Sequence, residues 1–177
     1  MANPTPNLFA RPALDQTIAI VQRYQAAAIA AVNPKLDQID EFHKGPKMRT
    51  AYPWLTVSYE GTLLPETSQQ SIEQHLVLIV GLETGDFDSE TGQETAIDYL
   101  RMLDYVFRKL AAFSDWETAL PIVNDSVPSA ITTPWPTGTV KQVFIERHEQ
   151  SILPAGEKRD SPALKVTLHL RFDLEES

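Results

Sequence analysis

Leu164-Lys165-Val166-Thr167-Leu168-His169-Leu170-Arg171-Phe172-Asp173-Leu174 alternates apolar and polar residues without a break. Successive side chains on a strand point to opposite faces. The stretch therefore reads as one long strand with an apolar face and a charged face. It lies near the end of the 177-residue chain, so earlier segments must supply the edge it pairs with. Working backwards, Thr139 to Arg147 reads as the preceding strand. Its Val143-Phe144-Ile145 run suggests apolar cover on both faces. Residues 148–162, with Pro154, Gly156 and the charged Lys158-Arg159-Asp160, read as a long hairpin connection with a charged tip.

The first half repeats the theme. Tyr52 to Tyr59 is rich in aromatic and β-branched residues and reads as a strand, with Pro53 at its start. Ser71 to Leu82 reads as its antiparallel partner. Leu76, Leu78, Val80 and Leu82 share one face, and Val77 and Ile79 are apolar on the other, which places this strand centrally. Two helices complete the pattern. Ala13 to Val32 is Ala-rich, and its Leu14, Ile18, Val21 and Ile29 recur at helical spacing. Core packing is the default role of alanines 26, 27, 28, 30 and 31. The second helix starts at Thr91-Gly92-Gln93-Glu94 and runs to about Ala112, with Ile97, Leu100, Leu103, Phe107 and Leu110 as its buried stripe.

Three segments resist a regular reading. Residues 1–12 hold Pro4, Pro6 and Pro12 and are expected to form an extended arm. That arm either frays or docks Phe9 on a neighbour. In residues 34–51, Leu36, Ile39 and Phe42 suit a short helix, followed by a loop at Lys44-Gly45-Pro46. Residues 114–138 carry Pro121, Pro128, Pro134 and Pro136, and no period of useful length survives them. Trp135, between two of these prolines, is a lid over the core or an interface anchor.

Strands joined by hairpins and separated by helices give an α+β fold: an antiparallel sheet of about four strands with two main helices, in the order α-β-β-α-β-β. The length suits one domain spanning 1–177. With 42% hydrophobic and 22% charged residues, disorder throughout is not expected. In the sequence order no second-face cover is visible except the Pro-rich segments or a neighbouring subunit.

Composition excludes several function classes. Without cysteine there are no disulfides, thiolate metal sites or Cys nucleophiles. The net charge of −9 and the lack of any Lys/Arg-rich run argue against tight nucleic-acid binding. No basic region followed by an apolar run begins the chain, and the longest apolar window, Leu76 to Leu82, is far short of the ~20 residues of a membrane span. A soluble protein without a membrane role is expected.

No catalytic constellation stands out. Asp86-Phe87-Asp88-Ser89-Glu90-Thr91-Gly92 resembles a calcium loop, but its glycine is one position late and Ile97 replaces the closing glutamate. His43 has no second ligand at helical spacing. His75 and His169, with Glu73 or Asp173, would form a metal site only if their strands brought them together. A small metal-dependent enzyme or ligand-binding domain is the alternative this leaves. Apart from the strand's polar face, Lys165, His169 and Arg171, the notable charges are Arg147, His148, Lys158 and Arg159, read as a solvated loop or a subunit contact.

An N-terminal amphipathic helix leads into Ala51-Tyr52-Pro53-Trp54-Leu55-Thr56-Val57. A second strand, Gln74 to Leu82, leads into a long helix, then a strand, a charged loop and the terminal strand Leu164 to Leu174. Over nearly the whole chain this resembles the tail-terminator (tail-completion) proteins of tailed bacteriophages and the related neck proteins that join head to tail. The resemblance implies a structural, non-enzymatic virion protein without cofactors, assembled in the cytoplasm of a bacterial host. Such proteins form a homo-oligomeric ring, usually hexameric, at the head-proximal end of the tail. They stop tail-tube polymerisation and contact the tail-tube protein and the neck or connector proteins. DNA is only passing cargo in the channel. Phe9, Trp135, Arg147, His148, Lys158, Arg159, Lys165, His169 and Arg171 are then candidate interface residues.

Overall fold

The computed structural model describes residues 6–44, 52–63, 72–84, 90–124, 127–156 and 162–176. Within these, the side chains of 6–11, 62–63, 72–82, 90, 124, 127–129 and 176 are not described. The fold is α+β: two main helices packed on a mixed five-stranded sheet, plus a small separate hairpin. In chain order come α1 (Pro6–Val32), β1 (Glu41–Lys44), β2 (Trp54–Leu63), β3 (Ile72–Thr84) and α2 (Glu90–Tyr105). A π-helical turn (Val106–Leu110) continues α2. Then follow α3 (Phe113–Trp116), β4 (Pro121–Asn124), β5 (Val127–Ile131), β6 (Val140–Leu153) and β7 (Ala163–Glu176). The sheet order is β1-β2-β3-β7-β6, and β4 pairs only with β5.

The central strands follow the alternation in the sequence. β7 does not close the sheet at an edge; it pairs antiparallel with β3 on one side and β6 on the other. Leu164, Val166, Leu168, Leu170, Phe172 and Leu174 are all buried beneath the helices. Each such burial contributes about 1.5–3 kcal/mol. β3 lies between β2 and β7, the central place expected from its doubly apolar sequence.

Several expectations need correction. The sheet has a fifth strand, β1, where a short helix was expected, and it runs parallel to β2 with Phe42 opposite Leu55. Four residues are too few for periodicity to signal a strand; pairing with an exposed edge decides it. Residues from Pro6 are not an extended arm but the start of α1, with Pro12 inside it. The first-turn amides of a helix have no acceptor, so Pro6 loses nothing there. Pro12 removes one bond, and the helix continues. Phe9 lies near the start of α1; its side chain falls outside the described residues. Of the five alanines, only Ala28 is buried, and the other four are exposed helix formers. The buried stripe of α2 is Ala96, Tyr99, Met102, Leu103, Val106 and Phe107, whereas Ile97 is 46% exposed.

The Pro-rich segment is the largest revision. It holds α3 and the β4–β5 hairpin, with Pro121 at the start of its strand, where no amide is needed. It closes the core on the helix side, not the opposite face. Trp116 meets the Phe172 ring at 4.8 Å and Trp135 meets it at 5.3 Å, both edge-on. Trp135 is therefore core, which matches the lid reading and leaves it no surface for an interface. At the end of this segment Gly138 turns with φ 86°, the left-handed region that glycine enters without strain. Its amide donates to Glu117 at 3.0 Å.

Polar side chains of α1 hold these irregular pieces in place. The Gln25 amide donates to the Ile39 carbonyl (2.9 Å) and accepts from the Ile39 amide (2.8 Å), so it substitutes for a strand partner. Gln22 does the same for Val123 of β4, at 2.9 Å in each direction. Gln16 donates to the carbonyls of Asp115 and Thr118 at 2.8 and 2.7 Å. The buried Asp115 carboxylate accepts from the Ala112 amide and the Tyr24 hydroxyl, both at 2.8 Å. Burial, reinforced by that bond, raises the Tyr24 pKa.

Candidate subunit interface

The helices cover one face of the sheet. The other face carries the charged side of β7. The sheet has three register irregularities, one of them at Lys141 near the start of β6, and the other two are β-bulges that shape this face. One bulge inserts Glu60 between Tyr59 and Gly61 of β2; the other inserts Glu146 between Ile145 and Arg147 of β6. A bulge leaves one residue outside the ladder and re-aims its side chain. Both inserted residues are glutamates, and both turn toward β7.

His169 receives the first. Its Nδ1 lies 3.2 Å from Glu60 Oε2, and its Nε2 lies 2.9 Å from Glu149 Oε1. Both ring nitrogens therefore face carboxylate oxygens. The residue is buried although, among the described residues, no helix lies on this face. The hydrogen bond from His169 holds the Glu149 carboxyl below its usual range, helped by Arg147 nearby. Arg171 receives the second bulge: its guanidinium forks onto Asp173 at 2.9 and 3.3 Å and lies 3.5 Å from Glu146. It also sits 5.0 Å above the Phe144 ring. Hydrogen bonding to Asp173 raises the Arg171 pKa further, so this cation is permanent. The face therefore carries two short chains of linked polar side chains, Glu60–His169–Glu149–Arg147 and Glu146–Arg171–Asp173.

At the end of the sheet nearest β1, Trp54 Nε1 donates to Glu83 at 2.9 Å, and both residues are buried. His43 is not a plain surface residue. It lies 2.7 Å from Glu41 and packs edge-on against Trp54 at 5.5 Å.

β6 is one edge of the sheet, and β1 is the other. β6 runs on past Arg147 through Leu153, so His148 belongs to the strand and not to the connection. The extension was hidden because residues 148–152 are exposed on both faces and lack alternation. The 14-residue β7 supplies the partner that makes them a strand. Val143 and Ile145 are half-buried and Phe144 is 37% exposed, so this run is not covered on both sides.

Of the candidate interface residues, His169, Arg171 and Arg147 come together on the helix-free face. Lys165 lies on the same face, paired in register with Glu83 and Ser151. His148 is exposed on β6 and pairs with Leu168, on the helix side. Lys158 and Arg159 lie outside the described residues. Glu60, Glu146 and Glu149 were not foreseen; Gly61 inside a strand is the one local hint of a bulge. The proposed pairing of His75 with His169 does not form. His75 pairs with Asp173 and His169 with Ile79, four positions apart along β7, or about 13 Å. Among the described residues no group of three His, Asp or Glu side chains has metal-binding geometry, and no helix is long and apolar enough to cross a membrane.

No protein-family model matches this chain, and no curated protein matches it either.

Proposed function

We propose that this chain is a structural ring subunit of a tailed-bacteriophage virion. In this reading it sits at the head-proximal end of the tail, ends tail-tube polymerisation and joins the tail to the neck. The observation that carries the reading is the asymmetry of the sheet. One face is sealed by helices, while the other holds an ordered ionic network beside a 14-residue exposed edge strand. An edge of that length is usually paired or blocked. Charges along it set register between subunits more than they add affinity. The net charge of −9 suits a ring through which DNA must pass without sticking.

Its partners are then further copies of itself, the tail-tube protein and the neck or connector proteins. No catalytic step is assigned to it. The neck position is a variant of the same assembly, separated by pull-down against tube or portal-side proteins. Negative-stain imaging of the purified protein, alone and mixed with tail tubes, tests the proposal. Closed rings that cap tubes are expected. A protein that stays monomeric at high concentration and leaves tubes uncapped would refute it.

A further inference from the structure

Among the described residues β6 pairs with β7 alone, so its outer edge presents backbone amides and carbonyls with no strand beside them. Pairing with β7 fixes the face that each side chain takes. Val143, His148 and Ile152 stand opposite buried Phe172, Leu168 and Leu164, on the helix side. Phe144, Arg147 and Glu149 stand on the charged side, and Glu146 is the bulge between the two halves. Large apolar side chains remain exposed along this edge, Ile152 at 57% and Phe144 at 37%. On the helix side Val143 lines a groove of about 570 Å³, lined also by buried Trp116 and by Phe113, which is 56% exposed.

The sequence of this edge complements itself. In an antiparallel pair, residues directly opposite each other share a face. Adjacent residues of one strand do not, so a two-fold copy of β6 must be centred on a residue. Centring on Arg147 or Glu149 sets like charges against each other. Centring on Gln150 or Ser151 sets a charge, Arg147 or Glu149, against Leu153. Centring on His148 sets Arg147 opposite Glu149 of the second copy, and does so twice. Carried past the bulged Glu146, the same register sets Val143 opposite Ile152, again twice, with roughly 4.5–5.5 Å between Cβ atoms. Ile152 of the second copy then adjoins the groove that Val143 lines.

We propose that the β6 edge pairs antiparallel with β6 of a second copy of this chain about a two-fold axis through His148, so that two five-stranded sheets become one. Arg147 and Glu149 lie 3.9 Å apart on their own strand, so the pairing makes a square of four charges of alternating sign, which fixes the register. The same surface serves both copies, so the contact is isologous and closes no ring by itself. A ring needs a further, head-to-tail surface, and this inference does not rest on the ring reading.

The chain has no cysteine, so His148→Cys places a single thiol on the axis of the full-length protein. Residues directly opposite on paired strands are close enough for a disulfide, whereas the thiols of Gln150→Cys would lie about 13 Å apart. Under mild oxidation His148→Cys is expected to form a covalent dimer at least about 10-fold faster than Gln150→Cys. Arg147→Glu and Glu149→Arg each set like charges across the axis. Each should raise the dissociation constant of the two-fold step at least about 10-fold by sedimentation equilibrium. Mixed in equal amounts, the two variants restore opposite charges at both crossings and should form a heterodimer. If a charge variant loses its far-UV circular dichroism, the cross-linking comparison decides. Equal cross-linking at 148 and 150, or a mixture of folded variants that associates no better than its components, would overturn the pairing and leave the ring reading standing. Parent protein that is monomeric at every concentration would overturn both. A β6 dimer that never enters rings would overturn the ring reading alone.

Discussion

The two faces of β7 solve the same problem with different physics. On one face, six apolar side chains from Leu164 to Leu174 are sealed by α1, α2 and the tryptophans of the Pro-rich segment. On the other, His169 and Thr167 are buried as well, and His169 is held between the carboxylates of Glu60 and Glu149. The first face gains its stability from removing apolar area from water, which needs volume and little direction. The second depends on hydrogen bonds whose partners must be aimed, and bulges at Glu60 and Glu146 do the aiming. Exposed ion pairs contribute about 0–1 kcal/mol each, so the second face adds little to folding. Its order is better suited to presenting a fixed charge pattern to a neighbour.

The comparison can be broken most decisively at Phe172. Replacing it with Asp places an unpaired carboxylate among Trp116, Trp135 and Leu170, and should cost more than about 5 kcal/mol. Urea denaturation would read this as loss of the folded baseline; a normal unfolding midpoint would mean the two faces have been interchanged. Trp135→Ala comes next, at about 3–5 kcal/mol, because it opens a cavity under the same cluster. A loss below about 1 kcal/mol would mean that Trp135 does not fill the core.

On the charged face the effects are smaller and depend on pH. The folded-state pKa of Glu149 is lowered, chiefly by the hydrogen bond from His169. Its contribution is therefore complete above the ordinary glutamate value of 4.5 and disappears as pH falls through the depressed folded value. Urea midpoints of the parent and Glu149→Gln should differ at neutral pH and converge in acid. A gap that stays constant to the acid limit would remove the His169–Glu149 bond from the account. Arg147→Ala is the smallest change, within about 0.5 kcal/mol in the monomer. Its measurable consequence should lie in assembly, read as a shift in the salt dependence of ring formation.

Legibility followed the same division. The apolar face of β7, the β2–β3 hairpin and the two main helices announced themselves, because burial of one face forces a period of two or of about 3.6 on the residues that form it. The candidate site was visible only in part. His169 and Arg171 stood out as charges alternating with a buried stripe, but their partners did not. Glu60 reaches His169 across β3, 109 positions away in the chain, and nothing local marks that contact. Residues 148–153 of β6 were read as part of the connection because a strand exposed on both faces carries no hydrophobic period.

By itself the sequence determined the α+β class, the central strands and the face of β7 that would be buried, since each follows from local alternation. Tertiary structure alone decided that β7 lies between β3 and β6, that β1 adds in parallel at the far edge, and that the two tryptophans close the helix side. It also decided that bulged glutamates meet His169 and Arg171. These features depend on contacts between distant segments. Their free energy comes from completing another element's hydrogen bonds or filling its core, so no periodicity within the segment encodes them.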